Sequence, residues 1–487
     1  MNDLKESVDA PNAPALQTAD ENMESVNKWI EVFQEKIGSK TGCAAKWFQS
    51  TLHLQNGLTQ SCYNTPEHQI DPDMLKITPA ALHNTTEKAR QRYEMKKEMK
   101  PSGCEYCWRI EAQNSEILSD RARWNAYLGK DVNPDEIKNK PANYMFTPRV
   151  LEVSFSNMCN FMCGYCHPKN SSRFYNEIKT LGHYKDVQSH NCDIHFLKIY
   201  PEDANPYLEA FWLWWPQLSL ELKTMRLTGG EPLIQKSTLK LIELLKTDPR
   251  PQLDLSINTN LGLPHNKFVE ICEKLKALVE TNSVKKLHLY TSMDTWGDHA
   301  EYIRYGLDLK VFQQNVEYYL ENFPNQQLSY MVTFNIFSLA RFTELMGFWL
   351  SLKKRFNTNV NRVKVYINLL TEPIVYSYLL LPENFALEQF DKILEFARQN
   401  YEETNVKGFN DFVINDIKKA RNDYILNKLP ANKLAEGRAD FVRFFRQYDQ
   451  RKNLNLMKTF PEYAEIFKSW EFIEETKNTE IDREGGI

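Results

Sequence analysis

The sequence predicts an α/β protein centred on a curved, partial barrel of parallel β/α units, with a cysteine-rich region before it and a mostly helical one after it. Three observations carry this. Between residues 146 and 375, short β-type runs alternate with helical segments, the pattern of parallel β/α units. Six of those runs alternate apolar and polar side chains, which gives each strand two unlike faces. Every chemically suggestive motif falls just after a strand, at the C-terminal edge where barrels carry function.

The elements follow in order. Residues 1–25 are polar, acidic and without period, and are expected to be disordered. Residues 26–145 hold four cysteines, several aromatics and little regular alternation, ending near the loop "NPDEIKNKPAN". Within them, "KARQRYEMKKEMK" (88–100) reads as a solvated basic helix face. The candidate strands of 146–375 are "RVLEVSFS" (149–156), "KTMRLT" (223–228), "LDLSIN" (253–258), "KLHLYTS" (286–292), "LSYMVTFNI" (328–336) and "RVKVYINL" (362–369). One face collects residues such as Leu151, Val153, Leu227, Ile257, Leu289, Val332 and Val365. The other collects Glu152, Ser154, Arg226, Asp254, Ser256, Asn258, His288, Tyr290, Ser292, Thr333, Lys364 and Tyr366. Helices on both sides of a parallel sheet would produce continuous apolar runs instead. The alternation therefore places helices outside and a wet, polar lumen inside. Residues 376–487 read as mostly helical and close with the polar tail "KNTEIDREGGI".

Composition narrows the function. Nine cysteines is an odd count, and the acidic N-terminus has no apolar core of a signal peptide. The longest conspicuous apolar run, "AFWLWW" (210–215), is too short to cross a bilayer. A cytoplasmic protein with reduced thiols is expected, where clustered cysteines bind metal more often than each other. A formal net charge of −4 argues against a general electrostatic grip on nucleic acid.

Three of the cysteines, Cys159, Cys163 and Cys166, crowd into "CNFMCGYC" directly after the first strand. Alone, the C-x3-C-x2-C spacing fits half a zinc site, with His167 as a fourth ligand, or an iron–sulfur cluster. "TGGEP" (228–232) follows the second strand, "NTNLG" (258–262) the third and "TSMDTWG" (291–297) the fourth. Alone, "GGEP" is a turn before a helix. In this order, each after a strand, they resemble the radical S-adenosylmethionine (radical SAM) superfamily, whose signature C-x3-C-x2-C follows the first strand of a partial, TIM-like (β/α)6 barrel. The resemblance covers about residues 146–375. It implies that Cys159, Cys163 and Cys166 hold three irons of a 4Fe–4S cluster, leaving the fourth iron for the amino and carboxylate groups of S-adenosylmethionine.

By the same resemblance, Tyr165 stands near the adenine. Gly229, Gly230 and Glu231 form the segment that binds the methionine amino group. Ser292 and Asp294 contact the ribose, and Arg304 in "EYIRYG" pairs with the methionine carboxylate. Asn258 and Asn260 belong to a turn that approximates the family's Thr-Asn-Gly. Upstream, Cys43, Gly57 and Cys62 with the pair Cys104 and Cys107 resemble the C-x(9–15)-G-x4-C … C-x2-C pattern of the twitch domain, a shortened SPASM domain that holds an auxiliary 4Fe–4S cluster. In those relatives the module follows the barrel, whereas here the pattern precedes it. Four thiolates could equally hold zinc. Cys192 and Cys272 have no partner by spacing, and Cys272 reads as a packed core residue.

The function implied is reductive cleavage of S-adenosylmethionine to a 5′-deoxyadenosyl radical that takes hydrogen from a substrate, with an electron donor such as flavodoxin or ferredoxin. Relatives with such domains oxidise or cross-link peptides, dehydrogenate aminocyclitols or cyclise nucleotides. A lumen of both signs (Glu152, Asp254, Arg226, Lys364) implies a polar substrate, either a small molecule or a peptide. Glu152, Tyr290, Lys364 and Tyr366, with His288, are the residues expected to orient it or move protons. The reading from another class is a non-catalytic iron–sulfur or zinc protein that binds partners through its helical C-terminus.

Overall fold

The computed structural model describes residues 31–474 except 32, 113–117, 130–131, 191–193, 196, 371 and 473. The segment 1–25, Cys192 and the polar tail lie outside the described residues. The strands are β1 (Gln49–His53), β2 (Leu58–Gln60), β3 (His68–Gln69), β4 (Val150–Ser154), β5 (Met162–Cys163), β6 (Thr224–Thr228), β7 (Arg250–Thr259), β8 (Val284–Ser292), β9 (Arg304–Tyr305), β10 (Gln327–Phe334) and β11 (Val363–Leu369).

All six expected runs form strands, and they pair in parallel in sequence order, β4-β6-β7-β8-β10-β11. Since the order never reverses and parallel crossovers are right-handed, the connecting helices lie on one face of the sheet. That face is the apolar one. Leu151, Val153, Leu227, Ile257, Leu289 and Val332 are completely buried beneath the helices. The helix Pro206–Glu221 contains the "AFWLWW" run and buries Phe211, Trp214 and Trp215 there. Among the described residues no helix is long and apolar enough to cross a membrane.

The sheet does not stop at β4. β1 pairs parallel with β4 over Gln49–His53, and β2 and β3 follow antiparallel, so the cysteine-rich region extends the same sheet. Gly57 closes the β1–β2 hairpin at φ +72°, and a Cβ there would run into the Tyr207 ring. The basic helix Thr86–Lys96 is not the solvated face that its charge pattern implies. Lys88 and Arg92 are fully buried. Lys88 donates to Ser50 Oγ and Thr59 Oγ1, while Arg92 donates to the Lys46 carbonyl and to Asn84 Oδ1. Each cation has polar partners waiting on β1, β2, the helix Ala45–Phe48 or the loop that holds Asn84, which a charge count cannot reveal.

The C-terminal helices share the main core with the sheet. Phe441, Phe444, Phe445 and Tyr448 of the helix Ala431–Lys452 pack on Phe337, Tyr376 and Tyr302. Its Asp440 accepts from the backbone of Gln188 and Ser189, and its Lys452 pairs with Glu177 at 2.6 Å.

Candidate functional site

The cysteine loop leaves the C-terminal end of β4 and is held by the next three motif segments. β5, which contains Cys163, pairs antiparallel with β9, so Cys163 stands opposite Arg304. Behind the loop, Gly164 donates its N–H to the Ile303 carbonyl and accepts at its own carbonyl from His190 Nε2 at 2.8 Å. Cys159, Cys163 and Cys166 are half-buried, and none of the described cysteines forms a disulfide. Burial, then Cys163, pushes the Cys159 thiol up to about 12, with Arg304 pulling the other way. His167 spends Nδ1 accepting from the Lys169 backbone at 3.1 Å, which takes that nitrogen out of competition as a ligand.

Tyr165, Asp294 and Arg304 meet at one point. Tyr165 donates its hydroxyl proton to Asp294 Oδ2 at 2.5 Å, and one terminal nitrogen of Arg304 reaches both groups, at 2.6 and 3.2 Å. Asp294 Oδ1 accepts from the Thr333 backbone at 2.8 Å, so both oxygens of this fully buried carboxylate are occupied by the protein. Arg304 is itself buried and far from the surface position an isolated helix arginine would take. Burial works against its charge, but Cys163, Tyr165 and Asp294 outweigh that and hold it protonated. Its Nε remains buried without a partner among the described residues. A cation with a spare donor beside Cys163 and within electrostatic reach of Cys159 is the environment an anionic metal–thiolate group needs.

The Gly-Gly-Glu turn lies against the same loop. Gly229 and Gly230 have φ +79° and +55°, and a Cβ on Gly230 would overlap the Met158 carbonyl. That carbonyl accepts the Glu231 N–H at 2.8 Å. Glu231 is fully buried. Its Oε1 accepts from Leu233 N at 3.0 Å and its Oε2 from Asn260 N at 2.6 Å, so it ties "GGEP" to "NTNLG". Burial outweighs these bonds and raises its pKa to about 7. Asn260 Nδ2 donates in turn to Asn160 Oδ1 inside the cysteine loop, a contact sequence reasoning missed because Asn160 is only a spacer in the motif. Asn258 faces the sheet interior and accepts from Arg226. Ser292, half-buried at the end of β8, stands in register with Met331.

On the polar sheet face, Glu152, Arg226, Ser256 and His288 occupy one row across β4, β6, β7 and β8. Asn258, Tyr290, Ser329 and Lys364 form the row above, and Tyr366 stands beyond them in register with Met331. His288 stacks on Tyr290 at 4.0 Å and bonds Ser329 Oγ at 2.7 Å; burial, then Lys364 and Arg226, keep it neutral down to about pH 3. Burial raises the Glu152 carboxyl against the pull of Arg226. Lys364 is lowered by burial and by Lys286.

The upstream cysteines form a second centre. Cys43, Cys62, Cys104 and Cys107 are all buried and line one small cavity, with Lys46, Met95, Arg121 and Trp124 completing the wall. Burial raises the Cys43 thiol, and the other three cysteines add to it, so the four feel one another's charge. Lys46 counters them at both Cys43 and Cys62. The Cys43 loop is fixed by Asn125, which accepts from Ala44 N and donates to the Gly42 carbonyl. Among the described residues, no three His, Cys, Asp or Glu side chains stand closely enough to cage a single metal ion. Cys272 is buried at 1% exposure in the helix His265–Glu280.

No protein-family model matches the chain. A stretch of 110 residues is 30% identical to GTP 3′,8-cyclase of Campylobacter fetus subsp. fetus (strain 82-40), covering 23% of this chain and 26% of that protein. GTP 3′,8-cyclase of Desulforamulus reducens is 28% identical over 136 residues, covering 28% and 32%. That of Clostridium perfringens (strain SM101 / Type A) is 26% identical over 145 residues, covering 30% and 34%. The chain thus spans between 26% and 34% of the length of these curated relatives. Among solved structures, native anSMEcpe with bound AdoMet aligns at a TM-score of 0.33 and 16% identity over 58% of this chain and 67% of that one. Streptococcus suis SuiB bound to S-adenosylmethionine aligns at 0.30 and 13%, over 72% and 68%. Both superpositions are loose.

Proposed function

We propose that this protein is a radical SAM enzyme acting on a polar substrate in the lumen of its partial barrel. The observation that carries the reading is convergence. Five motif segments spread from Cys159 to Arg304 are tied to one another at the C-terminal edge of a singly wound sheet. Cys159, Cys163 and Cys166 would hold the 4Fe–4S cluster. When bound, that cluster supplies the electron that cleaves S-adenosylmethionine to the radical.

The chain's own residues hold the cofactor in place. The backbone of the Gly-Gly-Glu turn receives the methionine amino group, and Glu231 fixes the shape of that turn from behind. Arg304 offers its spare Nε to the methionine carboxylate. Tyr165 presents its ring to the adenine, and Ser292 takes the ribose. Asp294 joins Ser292 at the ribose and also holds Tyr165 and Arg304 in register. Asn260 steadies the cysteine loop through Asn160. Glu152, Tyr290, Lys364 and Tyr366 orient substrate or carry protons, and Asn258 holds Arg226.

Cys43, Cys62, Cys104 and Cys107 would ligate a closed auxiliary 4Fe–4S cluster for electron transfer. Four buried thiols that converge on one cavity give such a cluster a full set of protein ligands. A flavodoxin or ferredoxin in a reducing cytoplasm would supply electrons. The cyclase name of the matched relatives rests on about a third of their length or less, so the substrate stays a polar small molecule or peptide. Anaerobic reconstitution followed by dithionite and S-adenosylmethionine tests the reading. It expects 5′-deoxyadenosine from the wild type and none from the Cys159/Cys163/Cys166→Ala variant; no 5′-deoxyadenosine from a cluster-loaded wild type would end it.

A further inference from the structure

Arg226 lies on β6 at 2% exposure. Its Nε donates to Asn258 Oδ1 at 2.8 Å, and its guanidinium lies over the Tyr290 ring at 4.5 Å. Both partners stand two residues nearer the C-terminal edge than Ser256 and His288, which share the row of Arg226 itself. The side chain therefore leans up the sheet, toward the turn that begins at Gly229. Both terminal amino groups of the guanidinium are buried and have no hydrogen-bond partner among the described residues.

Beside Arg226 in register, on β4, is Glu152. Its Oε1 accepts a long bond from Thr228 Oγ1 at 3.4 Å, while its Oε2 is buried and unpartnered among the described residues. Opposite charges at adjacent register positions ordinarily close on each other. Here they do not, and each keeps unspent hydrogen-bonding capacity in a buried place, an arrangement that is costly unless something completes it. Asn258, His288, Lys364 and Tyr366 on the same face are half-buried and stand between these groups and solvent.

The geometry points to a zwitterion site. The Arg226 fork takes a carboxylate through two parallel N–H···O bonds, and Glu152 Oε2 accepts from an ammonium group of the same molecule, the head group of an α-amino acid. A phosphate or other lone oxyanion would satisfy Arg226 but would meet the Glu152 carboxylate as a like charge. This rests on the proposed function, because it names the substrate class of that same lumen. S-adenosylmethionine carries an amino-carboxylate too, but its ends belong to the Gly-Gly-Glu turn and Arg304, so the site must be probed with that cofactor already in place.

The test uses anaerobically reconstituted protein saturated with S-adenosylmethionine, followed by calorimetric titration and thermal unfolding. The probes are each proteinogenic L-amino acid, the N-acetyl and amide forms of any that binds, inorganic phosphate and GTP. At least one free amino acid should bind and raise the Tm. Capping either end should weaken binding by about thirtyfold or more, the factor expected when a buried ionic partner is removed. Arg226→Gln should abolish binding, and Glu152→Gln should no longer distinguish the free from the N-acetyl form. If either variant misfolds, the comparison of capped and free ligands on the wild type still decides. Binding by no amino acid, equal binding of capped forms, or binding of phosphate or GTP instead would overturn the site. Formation of 5′-deoxyadenosine by the same preparation is read separately, so a lost zwitterion site and a lost radical function give different results.

Discussion

At the residue scale, Asp294 and Arg304 depend on each other. Asp294 is fully buried, and its Oδ2 is held by Arg304 and Tyr165. Arg304→Ala strands part of that charge and should cost about 3–5 kcal/mol of stability, measured by chemical unfolding. The same change should weaken S-adenosylmethionine binding by about 2–5 kcal/mol in calorimetry, whereas wild-type affinity would remove Arg304 from the cofactor site. Gly230→Ala is the sharper probe of the turn, because the added Cβ meets the Met158 carbonyl at φ +55°. It should lose about 1–3 kcal/mol and displace the cysteine loop, read as lowered iron content in a folded protein. These positions were legible because spacing and residue type identify them. The spare nitrogens of Arg226 were not. The sequence puts Arg226 on the polar face, but whether its fork is spent depends on where Glu152 points.

The β1–β2 hairpin joins the two cysteine groups at the scale of elements. Glu67, downstream of β2, pairs with His53 on β1 and with Lys169 beside the cysteine loop, each at 3.2 Å. Burial opposes its charge, yet His53 and Lys169 prevail and hold its carboxyl at about 2. Its folded pKa is thus below the ordinary value of 4.5, so its stabilisation is present above pH 4.5 and is lost as the pH falls toward 2. Glu67→Gln should lower stability at neutral pH by on the order of 2 kcal/mol after screening. It should also flatten the acid limb of the stability profile; an unchanged limb would show that the bridge contributes nothing. The six parallel strands could be read from the sequence because their period-two alternation is local. The pairing of β1 with β4 could not, because it joins segments far apart in the chain, and Gln49–His53 has no strong alternation to announce it. The burial of Lys88 and Arg92 was hidden for a related reason: their partners Ser50, Thr59 and Asn84 are ordinary polar residues until the fold gathers them.

For the whole molecule, the helical C-terminus spends its aromatic face on the core shared with the sheet, which takes that face away from the non-catalytic, partner-binding reading. The two cysteine groups should together give about eight irons per reconstituted chain. The Cys159/Cys163/Cys166→Ala variant should retain about four in the upstream cavity, and finding only zinc there would refute the second cluster. In the proposed function, Cys159, Cys163 and Cys166 hold a cluster with an iron left open to S-adenosylmethionine. Electron paramagnetic resonance of the dithionite-reduced protein, with and without S-adenosylmethionine, tests it most directly. The expected result is a reduced 4Fe–4S signal that changes when S-adenosylmethionine is added and is missing from the triple variant; a signal indifferent to S-adenosylmethionine, or zinc on these three thiols with no signal, would contradict the assignment.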